Sequence, residues 1–222
     1  MKKAKILAAS GAFALTVAIS ASAQMGLMRQ TPQPRGFFNP IVGSGAQYEI
    51  QTDNGKTVME VNVVGKESVD GKDGYWLETT MATPRMGDIV MKVLTVPDGK
   101  TITLTRTIMQ MGDHPPMEMP MQMSRMNSGR QPVDIRNEAE DVGNESVTTP
   151  AGTFACEHYR MKDGSGDFWI SDKVSPYGLI KHQGKETTMV LTKVIVGAKD
   201  KITGTPRPFN PMMMGGGGPP QQ

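Results

Sequence analysis

An apolar/polar alternation with a period of two, broken repeatedly by Asp-Gly and Asn-Gly steps, constrains this chain more than any other feature. Ala46, Tyr48 and Ile50 alternate with polar residues, and 58–64 is a β-branched, apolar run. Further runs at 75–81, 88–96 and 100–109 are punctuated by Asp53-Asn54-Gly55, Asp70-Gly71, Asp73-Gly74 and Pro97-Asp98-Gly99. Strands of this length separated by such steps are hairpin signals. Thr101, Thr103, Thr105 and Thr107 fall on one face of their strand, opposite Ile102, Leu104 and Ile108, with Arg106 interrupting the apolar side. Stretches 153–161, 166–171 and 185–196 are again strand-like. The one helix candidate is 134–141. Long helical patterns are absent, which excludes parallel βαβ folds. The expectation is a mainly β chain with a curved antiparallel meander sheet, an open half-barrel, and at most one or two short helices.

An internal echo supports hairpins of one kind. Val64-Gly65-Lys66-Glu67-Ser68-Val69 precedes Gly74 and Trp76, and Val142-Gly143-Asn144-Glu145-Ser146-Val147 precedes Gly152 and Phe154 at the same offsets. Each copy ends a strand, turns, and brings an aromatic into the returning strand.

The first residues read as a processing segment. Lys2, Lys3 and Lys5 precede an apolar run from Ile6 to Ile19, and Ala21-Ser22-Ala23 is a small-residue cleavage signal ahead of Gln24. That run is shorter than the roughly 20 residues of a membrane-spanning helix. The reading divides the chain into a signal peptide (1–23), a flexible linker (24–43), one β domain (44–204) and a Gly/Pro/Met-rich tail (205–222). Residues 32, 34 and 40 in the linker and 206, 208, 211, 219 and 220 in the tail are prolines. Such composition buries too little apolar area to offset ordering entropy.

Cleavage also changes the charge. The chain carries 24 Lys and Arg against 22 Asp and Glu. Losing the three leader lysines leaves 21 against 22, a formal charge of −1. No basic cluster follows, so nucleic acid and anionic membrane surfaces are poor candidate partners. Cys156 is the single cysteine. No internal disulfide can form, and no cysteine follows the cleavage point to accept a lipid anchor. The expected location is periplasmic or secreted, without a membrane span; oligomeric state has no signature. A membrane barrel would need aromatic girdles, and only 5% of the residues are aromatic.

Candidate chemistry centres on methionine, of which there are 19. Met109, Met111, Met117, Met119, Met121 and Met123 cluster around His114 and three prolines, which exclude a regular helix and a central strand. In an extended chain Met117, Met119, Met121 and Met123 share a face. Unbranched, polarisable side chains of this kind wall a core or cradle an apolar ligand. Thioethers are also soft ligands, so Met109, Met111, His114, Met117, Met119, Met121 and Met123 form an alternative Cu(I) or Ag(I) set. Adaptable packing is the commoner use of methionine. The expected ligand-binding set is Met117, Met119, Met121, Met123, Trp76 and Trp169, with no cofactor and an apolar small molecule or lipidated segment as partner.

Other constellations are weaker. Cys156 and His158 lie two apart on a strand, a possible nucleophile pair or half a metal site; the competing reading is a buried thiol. Ser171, Asp172 and His182 lack a G-x-S-x-G elbow. No phosphate loop, dinucleotide fingerprint or paired-cysteine zinc spacing occurs. The expectation is therefore a non-enzymatic binding protein, with a structural or interaction module of the cell envelope as a further alternative.

Residues 145–156 (Glu-Ser-Val-Thr-Thr-Pro-Ala-Gly-Thr-Phe-Ala-Cys), Phe168-Trp169-Ile170-Ser171 and Pro176-Tyr177-Gly178-Leu179-Ile180-Lys181 carry a resemblance. The chain resembles uncharacterised exported bacterial β-domain proteins with a Val-x-x-Pro-Ala-Gly-Thr-Phe hairpin, an aromatic strand and a Pro-x-Gly-Leu-Val-Lys turn. At superfamily level these are similar to the periplasmic lipoprotein carriers of the LolA/LolB type. The resemblance is most specific over 142–196. It implies a curved antiparallel sheet around an apolar cavity and a hydrophobic-ligand role, and it assigns no functional residue.

Overall fold

The structure, a computed structural model, describes residues 37–83, 87–98, 101–120, 122, 136 and 138–209. The leader and Met121 and Met123 lie outside the described residues. Every regular element among the described residues is a strand: β1 (Ser44–Thr52), β2 (Gly55–Val69), β3 (Lys72–Thr83), β4 (Gly87–Asp98), β5 (Thr101–Met111), β6 (Met117–Glu118), β7 (Ala139–Thr149), β8 (Gly152–Met161), β9 (Gly166–Ile170), β10 (Leu179–Gly184), β11 (Thr187–Val196) and β12 (Arg207–Pro208).

All twelve form a single sheet in the order β12-β6-β5-β4-β3-β2-β1-β11-β10-β9-β8-β7, antiparallel except where β12 runs parallel to β6. Two meanders thus meet where β1 pairs with β11. The sheet is open, because its edges β7 and β12 do not pair. It is also curled: β7 approaches β11 although three strands separate them in the sheet. Curling packs the inner faces of β1–β3 against β7–β11. Tyr48, Ile50, Met59, Val61, Ile170, Leu179, Ile180, Met189 and Leu191 are all at most 1% exposed in that core. Each large apolar side chain so buried contributes about 1.5–3 kcal/mol.

Local chemistry explains the hairpins. The β2–β3 turn places Asp70 (φ 51°) and Gly71 (φ 78°) in the left-handed region, as a two-residue turn of the primed type requires. The two copies of the internal echo each carry a β-bulge at their Val-Gly step, between Val63 and Gly65 in β2 and between Asp141 and Gly143 in β7. An extra residue at each bulge increases local twist and helps the sheet curl.

Three readings from the sequence are corrected. Residues 139–141 of the helix candidate begin β7, an edge strand whose side chains are mostly exposed. Its polar outer residues give no period of two, which is why the pattern misleads. Asp73-Gly74 does not turn the chain; it lies within β3, where Gly74 lets Leu94 and the Glu67 carbonyl approach. Leu179-Ile180-Lys181, read as the end of a turn, instead begin β10 (Leu179–Gly184), between β9 and β11.

Contacts with the sheet reach into the described parts of both flanks. Phe38 packs on Tyr75 and Tyr177, with ring centroids at 6.4 and 5.9 Å, and Asn39 N–H donates to the Pro176 carbonyl. Beyond β11, residues 197–209 cross the outer face of the β2–β6 wing as a strap. Ile202 sinks among Trp76, Val90, Leu94 and Ile108. Arg207 N–H donates to the Pro116 carbonyl at 2.9 Å, and Pro208, without an N–H, sits on the sheet edge, a place proline tolerates.

Candidate functional site

Direct cross-strand partners point to the same side of a sheet, so the register assigns faces. On the inner face one row runs Val61, Thr79, Met91, Met109, Met117 from β2 to β6. The next row runs Met59, Met81, Ile89, Met111. Met59 and Val61 belong to the central core, but Thr79, Met81, Ile89, Met91 and Met111 are only half-buried. The apolar face of the core therefore continues outward along β3–β6 as a partly exposed, methionine-rich surface.

The predicted methionines divide accordingly. Met109 and Met117 are direct partners, 7% and 6% exposed. Met119 is as buried, its N–H donating to the Thr107 carbonyl at 2.8 Å. Met117 and Met119 lie on one side of Glu118, as the M-x-M spacing anticipates. Met111 is in the neighbouring row. His114 is exposed in the following turn.

Neither tryptophan joins them. Trp76 pairs with Leu94 on the strap face, opposite the methionines. Its Nε1–H donates to Glu67 Oε2 at 2.9 Å, and Lys92 Nζ and the Arg106 guanidinium lie 4.9 and 5.3 Å from its ring centroid. Trp169 sits in β9, stacked on His158 at 4.5 Å, with Nε1–H donating to Glu145 and Lys181 Nζ 4.6 Å from the ring. The four described members of the expected ligand set, Met117, Met119, Trp76 and Trp169, thus lie on different faces and strands. Met59, Met81 and Met91 were absent from it because only register, not spacing, brings them beside Met109.

The strap face carries a polar network. Glu78 is fully buried. The Lys201 backbone N–H donates to its Oε2 at 3.0 Å, and Lys201 Nζ donates to Glu60 Oε1 at 3.0 Å and Thr80 Oγ1 at 2.9 Å. Asp200 pairs with Lys92. Burial, with the neighbouring Asp200 carboxylate, pushes the Glu78 carboxyl up to about 7, against the Lys201 N–H, which favours the ionised form. Glu60 is held below the usual carboxylate range because hydrogen bonds from Asn62 and Lys201 outweigh its desolvation. Arg106 likewise lowers Glu118 through a paired contact at 2.9 and 3.3 Å.

Cys156 and His158 are held by separate partners. The thiol is buried, donates to the Phe154 carbonyl at 3.5 Å, and is pushed up to about 11 by burial and by Glu145. His158 is held on both ring nitrogens, by Glu145 at 3.0 Å and Asp167 at 2.9 Å. A cleft of about 440 Å³ lies beside β7–β9, lined by Glu145, Glu157, Cys156, Ser171 and Asp172 among others. His182 is not among its lining residues; it packs on Phe168 with ring centroids 4.3 Å apart. Among the described residues no three His, Cys, Asp or Glu side chains are grouped to hold a metal ion, and no helix is long and apolar enough to cross a membrane.

No family model matches the chain, and no curated protein matches it either. Two solved structures are similar to it. One is a candidate lipoprotein from Parabacteroides distasonis, 15% identical over 73% of this chain and 100% of that one, with a TM-score of 0.34. The other is a candidate exported protein with YmcC-like fold from Bacteroides fragilis, 16% identical over 72% and 99%, with a TM-score of 0.35.

Proposed function

We propose that this is an exported, non-enzymatic binding protein for an apolar ligand such as a lipid, an acyl chain or a lipidated segment. The observation that carries the reading is the half-buried inner face of β3–β6, where Met81, Ile89, Met91, Val93 and Met111 extend the core surface. Methionine adapts its shape to irregular apolar partners, and concave apolar surfaces with few polar groups are the usual ground for small-molecule binding. Export rests on the basic start, short apolar run and Ala-x-Ala signal of residues 1–23. The non-enzymatic reading is supported by a buried Cys156 thiol and a His158 ring engaged on both nitrogens. Solvent extraction of protein purified from the periplasm, followed by mass spectrometry, tests the proposal. A co-purifying lipid in stoichiometric amount is the expected result. Lipid-free protein that also fails to take up a fluorescent fatty acid contradicts it.

A further inference from the structure

Met91 of β4, Met109 of β5 and Met117 of β6 stand side by side in one cross-strand row. Direct partners on adjacent strands have Cβ atoms about 4.5–5.5 Å apart, so Met109 lies midway between two neighbours roughly 10 Å from each other. Methionine is unbranched with several rotatable bonds. The outer two sulfurs can therefore lean onto the middle one from both sides. Beyond Met91 the row continues through Thr79 and Val61, with no carboxylate or imidazole. Met109 and Met117 are nearly closed to water, whereas Met91 is half-buried and leaves a way in.

We propose that Met91, Met109 and Met117 form a three-thioether site for a soft univalent cation, Cu(I) or Ag(I). Thioethers select such ions, whereas Mg²⁺ and Ca²⁺ require the oxygen ligands that this row lacks. Removing one positive charge from water is costly; three sulfur donors offset that cost, and the half-exposed Met91 end limits it. The site differs from the one the linear sequence suggests. His114 lies in an exposed turn, and Met111 falls in the neighbouring row opposite Ile89. Met91, which is remote from the methionine-dense segment, enters instead. The proposal does not rest on apolar-ligand binding, and leucine substitutions separate the two because they remove sulfur while keeping the face apolar.

The test is an anaerobic competition titration of the full chain with Cu(I) and the chromogenic chelator bicinchoninate, with X-ray absorption on the loaded protein. One Cu(I) per chain with sulfur as the only ligand type is expected. Met91→Leu, Met109→Leu and Met117→Leu should each weaken binding at least tenfold, while His114→Ala and the combined Met121→Leu/Met123→Leu variant should not. Met91→Leu, at the half-buried end, keeps the test sound if changes at the buried pair disturb the sheet. Shifts of the methionine methyl NMR signals on adding Ag(I) to the unaltered chain should single out these three residues. No Cu(I) uptake by the unaltered chain, undiminished affinity in the Met91→Leu variant, or loss of binding in either control variant overturns the proposal.

Discussion

The backbone N–H of Lys201 donates to the carboxyl of Glu78 at 3.0 Å, joining the strap to a side chain with no solvent exposure in the middle of β3. Lys201 Nζ extends the same junction to Glu60 and Thr80, and Asp200 pairs with Lys92. The end of the expected β domain, just before the Gly/Pro/Met-rich tail, is thus anchored across the sheet at charged groups, with Ile202 as its apolar pin.

Glu78 makes stability depend on pH. Its carboxyl ionises at about 7 in the folded chain against 4.5 for the free side chain. The folded state therefore binds more protons than the unfolded state between those values, and stability from this group falls as pH rises through that window. The change is on the order of 1 kcal/mol per pH unit at most. Glu78→Gln should flatten this slope and make the variant more stable than the parent at pH 8. Urea melts at pH 5, 6, 7 and 8 measure it; a parent slope of opposite sign, or one unchanged by the substitution, contradicts the assignment.

Ile202 tests whether the strap is part of the cooperative fold. It is 4% exposed among Trp76, Val90, Leu94 and Ile108. Ile202→Ala should cost about 2–5 kcal/mol if the strap unfolds with the sheet. If the strap detaches first, global stability is preserved and only amide protection at 198–204 is lost. Hydrogen exchange together with denaturant unfolding distinguishes these outcomes, and the packed cluster predicts the first.

Gly74 should be intolerant for a reason of space rather than of turn conformation. An added Cβ would stand 2.9 Å from Leu94 Cδ1 and 3.0 Å from the Glu67 carbonyl. Gly74→Ala is expected to destabilise by about 1–3 kcal/mol. Leu94→Val removes one of the two clashes, so the double variant should lose less than the sum of the single losses. Strict additivity in thermal melts would show that Leu94 is not the obstacle.

Cys156 should be inert while the chain is folded. It is 3% exposed and its thiol is pushed up to about 11, and the thiolate is the reactive form. Maleimide at pH 7 should label it in urea and leave it untouched in buffer. Rapid labelling of the native protein would contradict both the burial and the shifted ionisation.

What the sequence made legible follows from burial on one face only. β1–β5 were readable because their inner residues alternate with polar ones and Gly55 and Gly71 punctuate them. β7 was not, since an exposed edge strand has little to alternate between. β12 was hidden because two residues on a sheet edge, one of them a proline, carry no periodic signal. The methionine face was half legible. Spacing put Met117 and Met119 together, but Met91 and Met81 join it only through cross-strand pairing, Met91 with Met109 and Met81 with Met59 and Ile89. Trp76 lies on a second apolar face, created by a bulge beside it and the strap across it, neither of which is visible in a linear pattern.

The most direct test of apolar-ligand binding is a fluorescent fatty-acid titration of the parent chain beside Met91→Lys and Lys56→Glu. Met91 lies on the half-buried inner face, whereas Lys56 is exposed and paired with Glu49 on β1. Saturable uptake that Met91→Lys abolishes and Lys56→Glu leaves intact is the predicted result. Uptake insensitive to Met91→Lys, or none by the parent chain, would contradict the assignment of that face.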